Sequence, residues 1–239
     1  MDLLTQALTA FILSVALSLT AYHLKTLTVS GTITAASVGT ITGTLGSLKW
    51  LFVFILFTVI GLAVTYFDIK RKIRNGTQEG ICGERCWKNV LGVGMPPMIV
   101  ATMTFVYGTS LELSVAFIAT ITVAAADTVA SEIGIKDGKV WKLPTFERTE
   151  PGVNGGISVL GTGTSSVASL IIALIAWIII YGSFDWIFLI PAFAGMFGNF
   201  LDSLVGGTLE TSGYISKYGN NCITALVGAI FAGTICSMI

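Results

Sequence analysis

Charge is what this chain has least of. Only 11% of its 239 residues are Asp, Glu, Lys or Arg, against roughly 25% in soluble domains. No polar segment is long enough to bury a core of its own, so a separate soluble domain is not expected. Histidine occurs once, as His23 at the end of the first apolar run, where it reads as an interfacial residue. The four cysteines do not make a disulfide framework. Cys82 and Cys86 sit together in the most basic loop, which points to free thiols on the reducing side of a membrane. A zinc site is the weaker alternative, because the other two, Cys222 and Cys236, belong to a later apolar run and only one histidine exists. Low-complexity sequence is absent, as are a P-loop, a kinase glycine loop and a dinucleotide fingerprint. Met1-Asp2 offers no basic region ahead of the first apolar run, so that run is expected to be retained rather than cleaved as a signal.

What is present is apolar. Hydrophobic residues make up 54% of the chain and the mean hydropathy is +0.85, the composition of a polytopic membrane protein. We expect an all-α transmembrane helix bundle of about eight spans, forming one integral-membrane domain over residues 1–239. The spans are read as Leu3–Tyr22, Thr26–Gly46, Lys49–Phe67, Asn89–Tyr107, Leu113–Gly134, Ile157–Tyr181, Trp186–Gly206, and a last one from Asn220-Asn221 to the end. The second is rich in Gly and Thr, with Gly39 and Gly43 in the G-x-x-x-G spacing that lets helices approach closely. Trp50 fits an interfacial anchor. Met95-Pro96-Pro97-Met98 should kink the fourth span. Gly/Thr-rich stretches recur at Gly39–Gly46 and Gly161–Ser166, too short a likeness to define an internal repeat.

Charge that is scarce can still be informative by its placement. If Asp68–Lys88 faces the cytoplasm, the segments 135–153 and 207–218 do too, and both termini lie outside. Twelve of the 13 basic residues then face inward, leaving Lys49 alone outside, as the positive-inside rule prefers. The basic loop would serve topology and could also gather phosphates.

The fifth span ends in Ala126-Asp127-Thr128-Val129-Ala130-Ser131-Glu132-Ile133-Gly134. An ionised side chain at the hydrocarbon edge is costly without a partner, so an intramembrane carboxylate reads first as a functional site. The alternative is that these groups only hydrogen-bond neighbouring helices. The C-terminal end of a helix dipole favours cations, and added carboxylates suggest Mg²⁺, an oxygen-seeking ion that commonly bridges to phosphate. The seventh span repeats the device with Asn199, Asp202 and Ser203. Opposite these ends, spans four, six and eight begin inside with Asn89, Asn154 and Asn220-Asn221, and the glycine-rich start at Asn154-Gly155-Gly156 could expose N–H groups to phosphate.

Three motifs carry a resemblance: A-D-T-V-A-S-E-I-G at 126–134, P-G-V-N-G-G-I-S at 151–158 and D-S-L-V-G-G-T-L-E at 202–210. With the basic loop before Asn89-Val90 and the late Asn220-Asn221 pair, the chain from about residue 65 onward resembles the membrane family containing plant phytyl-phosphate kinase. The resemblance implies a membrane kinase that moves a phosphoryl group from a nucleoside triphosphate, often CTP in related lipid kinases, to an isoprenyl monophosphate. On that reading Asp127, Glu132 and Asp202 hold Mg²⁺ and, with Lys88, form the catalytic set. Thr128, Ser131, Asn154, Gly155, Gly156, Ser158, Asn220 and Asn221 bind phosphate oxygens, and Arg71 and Lys217 offset charge. The isoprenyl tail would lie against the Gly/Thr-rich spans two and six. The partners are an isoprenyl phosphate, a nucleoside triphosphate and the bilayer; no nucleic acid is expected, and a homo-oligomer is compatible with the chain. Two other functions fit the same residues less closely: a CTP-dependent CDP-lipid synthase, and an ion-coupled transporter with the carboxylates as ion sites.

Overall fold

The computed structural model describes residues 2–67, 69, 73, 74 and 83–239. It comprises two compact units, Met1–Leu113 and Ser114–Ile239. The architecture is the expected all-α polytopic bundle: seven helices among the described residues are long and apolar enough to cross a membrane, and an eighth, shorter helix accompanies them.

The first unit contains α1 (Leu3–His23), α2 (Val29–Ile41, prolonged by a π-helical turn at Thr42–Gly46), α3 (Leu48–Tyr66) and α4 (Trp87–Tyr107). Side chains start two of them: Thr28 Oγ1 accepts from Gly31 N at 3.1 Å, and Ser47 Oγ accepts from Trp50 N at 3.2 Å. The G-x-x-x-G pair works as its spacing implies, bringing α2 onto α1. A Cβ added at Gly39 would stand 2.6 Å from Ser14 Oγ, and one at Gly43 would stand 2.8 Å from Ala10 Cβ. Gln6 Nε2 then donates to the carbonyls of Gly43 and Thr44 at 3.0 and 2.9 Å, supplying donors to the irregular turn. Trp50 is not an exposed anchor. It is 3% exposed, because the π turn folds the chain back and lays the indole over Gly46. α4 continues through Pro96 and Pro97 without interruption. The basic loop is outside the described residues from 75 to 82, Cys82 included. Arg85, at its end, has a structural part: its backbone pairs with Thr26 and Thr28, and its guanidinium donates to Thr65 Oγ1 at 3.0 Å. Cys86, Cys222 and Cys236 form no disulfide among the described residues.

In the second unit, α5 (Leu111–Gly134) is buried without a break from Ser114 to Ala126, as befits a helix that is apolar all round. α6 (Val159–Tyr181), α7 (Leu189–Val205) and α8 (Lys217–Cys236) accompany it. Glycines of α7 and α8 receive its side chains: Cβ atoms added at Gly198 or Gly228 would collide with Val123. Thr122 Oγ1 donates to Pro191 O at 2.7 Å, tying α5 to α7 through a buried hydrogen bond. A π-helical turn, Gly206–Glu210, extends α7.

Between α5 and α6 the expected polar loop is instead a small antiparallel sheet. Its strands are β1 (Val140–Lys142), β2 (Glu147–Thr149) and β3 (Gly156–Ser158), in the order β2-β1-β3. Val140 is buried and faces both Thr149 and Ser158 across the ladders. Pairing with β1 holds residues 156–158 extended, so α6 begins at Val159 rather than Ile157. Its opening, Ser158-Val-Leu-Gly-Thr-Gly-Thr164, has the pattern of the opening of α2, Thr28-Val-Ser-Gly-Thr-Ile-Thr34. In both, the first hydroxyl accepts from the glycine N–H three residues on.

Candidate functional site

The last two turns of α5 present Asp127, Ala130, Ser131 and Gly134 on one face, the i, i+3, i+4, i+7 row of a helix. That face lines a cavity of about 200 Å³. α7 contributes its own row, Asn199, Asp202, Ser203 and Gly206, and the loop before α6 supplies Asn154 to Ser158. Glu210 from the π turn and Lys217 and Asn221 from α8 complete the wall. Three stretches far apart in sequence therefore meet at one end of the second unit.

The helical period also decides what stays out. Thr128 and Glu132 follow the lining residues by about 100° of rotation and are not among the cavity residues. The Thr128 hydroxyl is spent on Ala124 O at 2.8 Å. Among the described residues no group of three His, Cys, Asp or Glu side chains is arranged to hold a metal, so Asp127, Glu132 and Asp202 do not form the expected triad. Asn220 is 1% exposed and acts behind the wall rather than in it: its Nδ2 donates to Asp202 O at 3.0 Å. Lys88 belongs to the first unit, exposed at the start of α4 with its ammonium 5.7 Å from the Trp87 ring centroid. Arg71 lies outside the described residues.

The start of α6 is not an open anion cradle. Ser158 Oγ accepts from Gly161 N at 3.0 Å, and Asp137 Oδ2 accepts from Leu160 N at 3.2 Å. With Lys139 N on its other oxygen at 3.0 Å, these two backbone donors hold the Asp137 carboxyl below its ordinary pKa. A carboxylate at the N-terminus of a helix is the anion that this dipole favours, and here the protein provides it.

Asp127 and Asp202 both line the cavity. The carboxyls of Asp127 and Asp202 lie within hydrogen-bonding reach of each other, with Glu210 and Lys217 close enough to act on Asp202 electrostatically. Asp202 Oδ1 is buried and has no hydrogen-bond donor among the described residues. Two such carboxyls need either a shared proton or a cation between them. Three carboxylates against one lysine also leave this wall formally negative, which repels phosphate unless a metal ion accompanies it.

Glu210 is not among the site residues expected from the sequence. Its Oε1 accepts from Asn154 Nδ2 at 2.8 Å and its Oε2 from Asn220 Nδ2 at 3.3 Å, so one carboxylate joins the glycine loop to α8. Below it Gly155, at φ +79°, is pressed onto the backbone of Gly207. In the sequence Glu210 closes the third motif, shortly after Gly206-Gly207.

Residues 12–234 match the family described as Integral membrane protein DUF92. The chain belongs to that family. It is accordingly a multi-pass integral membrane protein, and the family is the one its three motifs resemble. Among relatives, it is 31% identical over 183 residues to an uncharacterised membrane protein of Methanocaldococcus jannaschii, covering 76% of this chain and 74% of that one. It is 28% identical over 185 residues to an uncharacterised membrane protein of Synechocystis, covering 75% and 71%. Protein PGR of Arabidopsis thaliana is 28% identical over 234 residues, covering 87% of this chain and 80% of the plant protein. No solved structure matches.

Proposed function

We propose that this DUF92 protein is a membrane phosphotransferase that moves the terminal phosphoryl group of a nucleoside triphosphate, CTP or another, onto an isoprenyl monophosphate to give the diphosphate. The observation that carries the reading is the opposed Asp127–Asp202 pair with its undonated Asp202 Oδ1, inside a cavity whose negative wall needs a cation. Magnesium fits this donor set: it takes one or two protein carboxylates, keeps water, and completes its shell with phosphate oxygens. Asp127 and Asp202 would hold it, and when bound it would neutralise the donor phosphates and orient them.

The chain's own groups do the positioning. Lys217 brings positive charge to the cavity, and Ser131, Asn221 and the Asn154–Gly156 loop offer polar contacts along its wall. At about 200 Å³ the cavity is sized for phosphate groups with a metal ion, so the base and the isoprenyl chain project from it, the chain toward lipid. In the transfer, an oxygen of the isoprenyl phosphate bonds to the terminal phosphorus as the bond to the bridging oxygen breaks, releasing the nucleoside diphosphate. The acceptor is already an oxyanion at neutral pH and needs no general base, so the scarcity of histidine is no obstacle. Positioning and charge neutralisation supply the rate in such transfers. The site faces the cytoplasm, where nucleotide is available and where most basic residues are expected.

The test uses purified protein, γ-labelled nucleotide and a series of isoprenyl monophosphates. Mg²⁺-dependent label in the lipid diphosphate, lost by at least about 100-fold in both Asp127→Asn and Asp202→Asn, is expected. Wild-type transfer by both variants would exclude the pair. Retention of the nucleoside monophosphate in the lipid, with release of pyrophosphate, would replace the kinase by a nucleotidyltransferase.

A further inference from the structure

We infer that Glu210 is the positioning residue of this site: a latch whose two oxygens fix the Asn154–Gly156 loop to α8 and so set the cavity wall opposite the Asp127–Asp202 pair. The inference rests on the phosphotransferase reading for its catalytic consequence, though not for its geometry. The two hydrogen bonds join residues 56 and 10 positions away from Glu210 in sequence, and each carboxylate oxygen is used by a different asparagine. Asn220 is itself fixed by its bond to Asp202 O, so the latch is registered directly against the helix turn that carries Asp202.

The π turn makes this possible. Its wider winding presents Gly206 and Gly207 to the loop, where Gly155 seats against them. Glu210, at the end of the same turn, then reaches Asn154. Asn154 itself is exposed, and the latch bond is what its side chain contributes to holding the loop. π turns recur at functional sites, and this one, closing α7, aims Glu210 at the loop. Glu210 acts here through hydrogen bonds rather than as a metal ligand. A glutamine can preserve them, because an asparagine amide can turn to offer its oxygen to Gln Nε2.

The experiment compares wild type with Glu210→Ala, Glu210→Gln, Asn154→Ala and the double Glu210→Ala/Asn154→Ala in full-length protein in nanodiscs. Hydrogen–deuterium exchange of residues 150–158 is read first, because it does not depend on activity. Glu210→Ala and Asn154→Ala should each raise exchange by about tenfold, the double variant should add nothing, and Glu210→Gln should stay near wild type. Transfer kinetics are read second. Glu210→Ala should lower kcat by about 100-fold through misplacement of the wall, while Glu210→Gln keeps the wild-type Mg²⁺ half-saturation. Exchange unchanged in Glu210→Ala, or Glu210→Gln as damaged as Glu210→Ala, overturns the latch. Absence of transfer in wild type refutes the proposed function and leaves the exchange result to decide the latch alone.

Discussion

Gly155→Ala is a demanding perturbation of this fold. Gly155 sits at φ +79°, a conformation that costs an L-residue with a Cβ about 1–2 kcal/mol. The new methyl would collide with Gly207 Cα and stand 2.6 Å from Gly207 N and 3.0 Å from Ser203 O. All three are backbone atoms of α7 and its π turn, so no side chain can rotate away. Overpacking of that kind adds about 1–3 kcal/mol. The sum, about 2–5 kcal/mol, is a large part of the about 5–15 kcal/mol that holds a domain together. The loop should therefore lift from the π turn before the helices separate. Purified variant and wild type would be compared by thermal unfolding and by exchange of residues 150–158, with Gly163→Ala as the control. No atom lies within 4 Å of a Cβ at Gly163, so that variant should be neutral or gain up to about 1 kcal/mol in helix propensity. Gly155→Ala within about 0.5 kcal/mol of wild type, with unaltered exchange, would refute the packing argument.

Two further outcomes follow from single contacts. Gly43→Val should push the π turn after α2 off Ala10 of α1 and Leu51 of α3, lowering the thermal midpoint by an amount equivalent to about 1–3 kcal/mol; an unchanged midpoint would mean that these contacts give way freely. Asp137→Asn should alter the acid limb of stability. Because folding lowers the Asp137 pKa below 3.8, the carboxylate's contribution is complete above that pH and is lost as pH falls through the folded value. Asp137→Asn should thus be less stable than wild type at neutral pH and converge with it in acid; a constant difference down to pH 3 would contradict the cap.

Much of the site was legible because its ingredients violate the rules of their surroundings. Asp127 and Asp202 are carboxylates in apolar runs, and the cost of leaving them unpartnered marks them whatever they face. The G-x-x-x-G contact of α2 was readable for a similar reason, since small residues at helical spacing have few other uses in a bilayer. In the sequence Glu132 and Thr128 share the last turns of α5 with Asp127. Only the rotation of α5 within its unit separates the face that meets α7 from the next face. The place of Ser158 at a helix start suggests a phosphate ligand, but a helix start accepts any anion or hydroxyl, and Asp137 and Ser158 itself already occupy it.

The apolar runs and the scattered charge by themselves determined that this is a helical, many-pass membrane chain, since burying backbone amides in lipid permits little else from such a composition. The sheet of residues 140–158, the burial of Trp50 and the meeting of Glu210 with two distant asparagines were decided only in three dimensions. Those features depend on which surfaces pack together, and strands of three residues or a π turn carry too little local preference to declare themselves. A carboxylate's partner across 56 positions is chosen by the turn that aims it, and the chain does not write that turn until its helices are in place.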